Sequence, residues 1–291
     1  MNDVQLELKI SKANLSPGLY LVPTPLGNLG DITVRALQVL ASCDGIYCED
    51  SRVSQTLLRH YGIAKALRRY DDHASAAARE AIIARLDRQA LVLISDAGSP
   101  LINDPGFKLA RDVIAAGKSL MALPGASAPI LALSLSGLPT DRFSFYGYLP
   151  NKQIARQAVC ADLARVKHTQ IVFESVHRIQ ASLLDLAAAM PERPAAVCRE
   201  MTKVYEEIDR GSLTNLAMRW RNRPAKGEFV IVIGPAPADV AAGDITGALK
   251  AAFAEGMSVK QAAAAIAQDT GSPKRQVYQA ALAMKQAGAD D

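Results

Sequence analysis

The chain has 291 residues, 49% apolar and only 5% aromatic, with a formal net charge of +4. That length and apolar content exclude a largely disordered chain and allow two modest domains, or one large domain with an appendage. The weak positive charge permits a nucleic-acid partner without requiring one. Cys43, Cys48, Cys160 and Cys198 lack metal-site spacing and give no disulfide framework, so each reads as a small buried hydrophobe. No run reaches membrane-spanning length and no leader pattern opens the chain, so the expectation is a cytoplasmic protein with neither membrane partner nor metal.

Residues 1–16 read as a loose start. Leu19–Val22 is a short apolar strand, and Asp31-Ile32-Thr33 opens a helix that places Leu37 and Leu40 on one face. Gly45–Cys48 reads as a second strand, followed by a helix over Val53–Tyr61 that ends at Gly62. Ala76–Leu86 is helical by pattern. Leu91–Ile94 is a continuous apolar run, as expected of a central parallel strand covered on both faces. A helix over Pro105–Ala116, a strand over Leu120–Leu123 and a helix over Ala128–Leu135 complete a β–loop–α series, the mark of an α/β domain.

The pattern changes near Phe143–Gly147, which sets a boundary close to residue 140. Beyond it, Thr169–Phe173, Ala195–Cys198 and Phe229–Ile233 read as strands of a mixed sheet, with helices over Arg178–Met190 and Leu213–Trp220. Arg219, Arg221, Arg223 and Lys226 form a basic cluster that suits either a solvated loop or a phosphate-contacting patch. Pro235–Asp239 is a linker by composition. After it come a helix capped by Ser258, a break at Asp269–Pro273, and a helix over Lys274–Lys285 with Ser272 as cap and Pro273 in its first turn. The pair has a helix-turn-helix shape, suited to touching RNA, supporting a dimer, or simply packing. The expected organisation is an N-terminal α/β domain over 18–140, a second over 141–235, and a linker with helical extension over 236–291.

Three Gly/Pro turns follow apolar strands: Thr24-Pro25-Leu26-Gly27-Asn28-Leu29-Gly30-Asp31, Ser95-Asp96-Ala97-Gly98-Ser99-Pro100, and Leu123-Pro124-Gly125-Ala126-Ser127-Ala128. In open α/β sheets such strand ends form the crevice where small ligands bind. The first turn does not match Gly-x-Gly-x-x-Gly, no Gly-Lys-Ser/Thr follows, and there is no Gly-x-Ser-x-Gly elbow. Common dinucleotide, ATP and hydrolase sites are therefore disfavoured. The second turn runs almost directly into Ile102-Asn103-Asp104-Pro105-Gly106, an elaborate loop for a simple strand-to-helix connection. Charged groups stand at other strand ends: Glu49, Asp50 and Arg52; Glu174; and Arg199, Glu200 and Lys203.

Together these stretches resemble the ribosomal RNA small subunit methyltransferase I family, a branch of the tetrapyrrole methylase superfamily. The resemblance rests on the three turns, Glu49-Asp50-Ser51-Arg52, Ser136-Gly137-Leu138-Pro139, Gly147-Tyr148-Leu149-Pro150, Phe173-Glu174-Ser175 with His177-Arg178, and Arg199-Glu200-Met201-Thr202-Lys203. It covers about residues 18–234, and the C-terminal helices look like the family's extension. Ser51 and Met201 stand where the family usually has Thr and commonly has Leu, and both keep the chemical type.

The resemblance implies two α/β domains with S-adenosyl-L-methionine in the cleft between them, and a homodimer. It implies methyl transfer to the ribose 2′-hydroxyl of a cytidine in the decoding region of 16S ribosomal RNA, within a small-subunit particle. The implied cofactor residues are Pro25, Gly27, Asp96, Gly98, Ser127 and Ala128, with Ile102 and Phe173 beside them. Glu49, Glu174, Glu200 and Lys203 are the candidate catalytic groups, and the residues leave open which acid, if any, is the base. Two other readings are weighed: a tetrapyrrole methylase, from the shared fold, and a non-catalytic RNA-binding or assembly protein, from the basic cluster and the C-terminal helices.

Overall fold

The computed structural model describes residues 11–237, 242–270, 272 and 274–287. They divide into two compact units, one formed by residues up to 163 with 169–234, the other by 164–168 with the chain from 235 onward.

The first unit holds two five-stranded sheets. The first is parallel throughout: β1 (Gly18–Val22), β2 (Gly45–Cys48), β3 (Leu67–Arg69), β4 (Ala90–Ile94) and β5 (Leu120–Ala122), ordered β3-β2-β4-β1-β5. β4 is buried at every position, as its unbroken apolar run requires of a strand covered on both faces. Leu37, Leu40, Ile46 and Val92 belong to the core on one face; Leu19, Leu91, Leu93 and Leu109 belong to that on the other. The covering helices are α1 (Val34–Ser42), α2 (Ser51–His60), α3 (Ala76–Ile83) and α4 (Phe107–Ala115). α1 is capped by Thr33, whose hydroxyl accepts from Ala36 N–H at 3.0 Å, a contact worth about 1 kcal/mol.

Two helix starts differ from the sequence expectation. α2 begins at Ser51 rather than Val53, because Asp50 is its N-cap and accepts from Arg52 N–H at 2.8 Å. α4 begins at Phe107 rather than Pro105. Gly106 has φ +130, outside the helical region, and a Cβ there would lie 2.5 Å from Leu93 Cδ2.

The second sheet is mixed, in the order β6-β7-β10-β8-β9: β6 (Phe143–Tyr148), β7 (Thr169–Glu174), β8 (Pro194–Arg199), β9 (Glu207–Ser212) and β10 (Phe229–Ile233). β6 runs parallel to β7, and the other pairings are antiparallel. α5 (Ala128–Ser136) leads into this sheet; α6 (Gln153–Leu163), α7 (Ile179–Ala189) and α8 (Leu213–Trp220) complete the layers. Trp220 is fully buried, edge-on to Phe229 at 5.3 Å. Strands β3, β6 and β9 and helix α6 were not foreseen. β6 and β9 are edge strands: β6 is bulged between Phe145 and Tyr148, and β9 reads Glu-Ile-Asp-Arg-Gly-Ser. β9 lacks the apolar alternation that marks a strand in sequence, and in β6 the Phe-Ser-Phe alternation is broken by the bulge.

In the second unit, α9 (Ala242–Ala254), α10 (Val259–Thr270) and α11 (Lys274–Ala287) share a core of Ile245, Leu249, Ala263, Ile266, Val277 and Ala281. Ser258 caps α10 as expected and does so in a capping box: Gln261 N–H donates to Ser258 Oγ at 3.3 Å, and Gln261 Oε1 accepts from Ser258 N–H at 3.1 Å. Ala238 and Asp239 of the expected linker, and Gly271 and Pro273 of the expected turn, lie outside the described residues.

Candidate active site

The three turns that stand apart in sequence are joined in space. Thr24 and Gly98 exchange both backbone hydrogen bonds, each 2.9 Å long. Thr24 Oγ1 donates to the Ser95 carbonyl at 3.0 Å, and Ser95 Oγ donates to the Gly98 carbonyl at 2.8 Å. Ser99 Oγ donates to the Ala126 carbonyl at 3.0 Å, tying the second turn to the third. The reason is strand order: β4, β1 and β5 are consecutive neighbours, so their carboxyl ends present these turns side by side.

A cavity of about 460 Å³ opens over the turns. One wall is Asp96 to Ser99 with Ile102, Asn103 and Asp104; another is Ser127, Ala128 and Pro129 at the start of α5. The second sheet closes it with Tyr148, Phe173 and the Gly227–Val230 segment. Ser127 is the N-cap residue of α5 yet makes no capping hydrogen bond. That leaves a hydroxyl and a helix N-terminus on the cavity wall. Leu101 and Asn103 have φ of +73° and +65°, uncommon for residues with side chains and concentrated where such conformations tend to serve function. Asn103 packs against Gly147 of β6, where a Cβ would lie 2.6 Å from its Oδ1.

A second cavity, about 380 Å³, lies between the first turn and α2. It shares Leu26, Asp96, Ala97 and Glu228 with the first, and Lys203 lines it. A third, about 390 Å³, is bounded by Glu49, Asp50, Ser51, Arg52, Arg69 and Asp96. Asp96 borders all three. One of its oxygens accepts from Asp50 N–H at 3.1 Å.

Of the residues named from sequence, Asp96, Gly98, Ile102, Ser127, Ala128, Phe173, Glu49 and Glu174 meet at the first cavity. Pro25 and Gly27 line the second instead, with Lys203; from the first turn only Leu26 reaches the first cavity. Glu200 lines none of the three. It lies behind the Gly227–Glu228 segment, accepting from Glu228 N–H at 2.9 Å, and a Cβ on Gly227 would fall 2.4 Å from its carboxyl group.

The acids differ in company. The Glu174 side chain is 0% exposed and pairs with Arg178 at 2.9 Å; Ser175 N–H donates to it at 2.7 Å and Ser182 Oγ also donates to it. Lys203 Nζ reaches Glu200 at 2.8 Å and Glu228 at 3.0 Å. Burial pulls the Lys203 ammonium down, but these two carboxylates outweigh it and hold it above its ordinary value. Burial likewise pushes Glu200 up, and the bonds from Lys203 and Glu228 N–H more than reverse it. Asp104, which the sequence reading did not single out as an acid, is pushed up to about 7 by burial, with Glu49 and Asp96 adding to the effect. Burial also raises Glu49, with Asp96 adding to it and Arg69 opposing. The signal for Asp104 was its place in the over-elaborate loop after β4.

Two members of the basic cluster are ion-paired at the surface, and Arg221 and Lys226 are exposed. Arg223 holds Glu207 at 2.6 Å and stacks 4.4 Å from the Trp220 ring, and Arg219 holds Asp209 at 2.7 Å. Among the described residues there is no group of three or more potential metal ligands, and no helix is long and apolar enough to cross a membrane.

The profile of the Tetrapyrrole (Corrin/Porphyrin) Methylases matches residues 18–217, and that of the RsmI C-terminal HTH domain matches 239–285. The chain is 46% identical over 274 residues to the ribosomal RNA small subunit methyltransferase I of Erythrobacter litoralis, covering 93% of this chain and 96% of that one. It is 42% identical over 283 residues to the protein of the same name from Mesorhizobium japonicum, covering 96% of each. Among solved structures, a diphthine synthase superposes with TM-score 0.57 at 18% identity, over 75% of this chain and 89% of that one. Uroporphyrin III C-methyl transferase from Thermus thermophilus does so with TM-score 0.53 at 15% identity, over 74% and 96%. At these identities the structures show a shared fold alone. The near full-length likeness to the former group is of another order, and the chain belongs to the ribosomal RNA small subunit methyltransferase I family, on the tetrapyrrole methylase fold with a C-terminal helical region.

Proposed function

We propose that this protein is a methyltransferase that uses S-adenosyl-L-methionine to methylate the ribose 2′-hydroxyl of a cytidine in the decoding region of 16S ribosomal RNA. We further propose that it works in the cytoplasm as a homodimer and acts on a small-subunit particle. The observation that carries the reading is the match along nearly the whole chain, helical extension included, to relatives named for that RNA. The fold alone would serve a macrocycle methylase equally well.

The first cavity suits the cofactor. Its glycines and small residues allow close backbone approach. Glu49 and Asp104 face it with no ion-pair partner among the described residues, and burial first and neighbouring carboxylates second raise their proton affinities. A cationic ligand would relieve the repulsion among them. The α5 N-terminus with Ser127 suits a carboxylate at the ligand's other end. When bound, S-adenosyl-L-methionine supplies a methyl group already activated on a sulfonium, so the protein's task is largely orientation. The transfer forms one C–O bond and breaks one C–S bond, whose electron pair leaves with sulfur. The proton of the hydroxyl must pass to a base; the position of Asp96, which borders all three of the cavities described, supports the reading of that carboxylate as the acceptor.

Methyl-labelled cofactor incubated with the pure protein and small-subunit RNA or particles tests the reading. Label on the ribose of one cytidine is expected. Label on a base, or no transfer to any assembly state, would overturn it; turnover of a uroporphyrinogen-type substrate would replace it with a macrocycle reading.

A further inference from the structure

We propose that the second cavity, between the first turn and α2, receives the target nucleotide of the RNA, splayed out of its stack, while the first cavity holds the cofactor. This rests on the function proposed above. A methyl transfer needs two ligands in contact, so their sites must share a wall. The two cavities share Leu26, Asp96, Ala97 and Glu228. The second cavity's size, about 380 Å³, falls within the range of small-ligand sites.

The lining suits a nucleoside. Leu29 and Val53 stand 37% and 45% exposed on opposite sides, apolar surfaces left open to solvent where a flat base could lie between them. Ser54 lies in the same wall with its hydroxyl buried beside the Cys48 thiol. Lys203, its ammonium fixed by Glu200 and Glu228, supplies a hydrogen-bond donor, its stem pressed so close to Gly27 that a Cβ there would meet Lys203 Cε at 2.5 Å. The two walls are tied together: Tyr61, at the end of α2, donates its hydroxyl hydrogen to the Leu29 carbonyl. α2 also carries exposed Arg59, a cation for the flanking phosphates of a single strand.

Val53→Trp places an indole in the second cavity from an exposed helix position, and Thr56→Trp does so one turn on. Gln55→Trp, exposed on the same helix and lining none of the three cavities described, is the control. In the full-length protein, Val53→Trp and Thr56→Trp should each cut methyl transfer to small-subunit RNA by about 100-fold. Calorimetric affinity for S-adenosylhomocysteine and the circular dichroism spectrum should not change. Gln55→Trp should transfer at the wild-type rate. Transfer by both cavity variants within about tenfold of wild type would overturn the inference. So would a loss of cofactor affinity in parallel with activity, which would give the second cavity to the cofactor. A wild-type protein that binds cofactor but methylates no small-subunit RNA would instead remove the functional reading on which the inference rests.

Discussion

The acids around the site behave in two ways, according to which sheet carries them. On the second sheet, Glu174, Glu200 and Glu207 are each held by a cation: Arg178, Lys203, and Arg199 with Arg223. On the first sheet, Asp50 is held by Arg52 at 2.6 Å, but Glu49, Asp96 and Asp104 converge on the cavities without an ion pair among the described residues. The second-sheet acids build the wall. The unpaired first-sheet acids keep unspent charge, which is what a site for a cationic ligand needs.

Breaking the pairing on the second sheet should cost most. Glu174→Ala takes the carboxylate from Arg178 and leaves the buried Ser182 hydroxyl without its acceptor, and should lower unfolding free energy by about 3–5 kcal/mol in urea titration. Glu174→Gln, whose single carbonyl oxygen can still accept from Ser175 N–H while its amide donates to Ser182 Oγ, should lose less.

Gly27→Ala should come next. It forces a side chain onto φ +125 and into the Lys203 stem, at a cost of about 1–3 kcal/mol. Lys203→Ala removes the same cation without backbone strain. Its pairs are partly exposed, so stability should drop by only about 1 kcal/mol or less. It should keep fold and cofactor affinity while losing most methyl transfer. A fully active Lys203→Ala, or one that is unfolded, would remove Lys203 from the reaction.

Asp104 sharpens the contrast from the other side. Its folded value of about 7 lies above the unfolded value of roughly 4. Between these limits the native state binds more protons than the unfolded state, so Asp104 makes stability fall as pH rises from about 4 to 7. Asp104→Asn should therefore gain melting temperature over wild type at pH 8, with the advantage shrinking as pH falls and gone near pH 4. An Asp104→Asn variant less stable than wild type at pH 8, with the deficit closing as pH falls, would place Asp104 in the paired class. The smallest expected effect is on cofactor binding. Affinity for the sulfonium cofactor should rise between pH 6 and 8, as Asp104 loses its proton, by more than affinity for uncharged-sulfur S-adenosylhomocysteine.

The central strands were legible because they are buried on both faces. β4 and β10 are unbroken apolar runs, and nothing but a covered strand explains such runs between turn residues. β9 was illegible for the opposite reason: its acidic side chains are satisfied by Arg219, Arg223 and the Trp220 N–H, partners distant in sequence that only the fold supplies. The same holds for α4, where the eye sees Pro105 as a helix start and tertiary packing against Leu93 demands Gly106 outside the helix.

Local composition alone determined that three turns of glycine and small residues follow three strands, since such residues permit close backbone approach. It also determined the family, through many short motifs in one order. Only the tertiary structure decided how those parts divide the work. Strand order made β4, β1 and β5 neighbours and stitched their turns together; it sent Pro25 and Gly27 to one cavity and Gly98 and Ser127 to another. It also decided which carboxylates find a cation and which do not. Pairing depends on the few ångströms across which charges act, and a sequence carries no such distances.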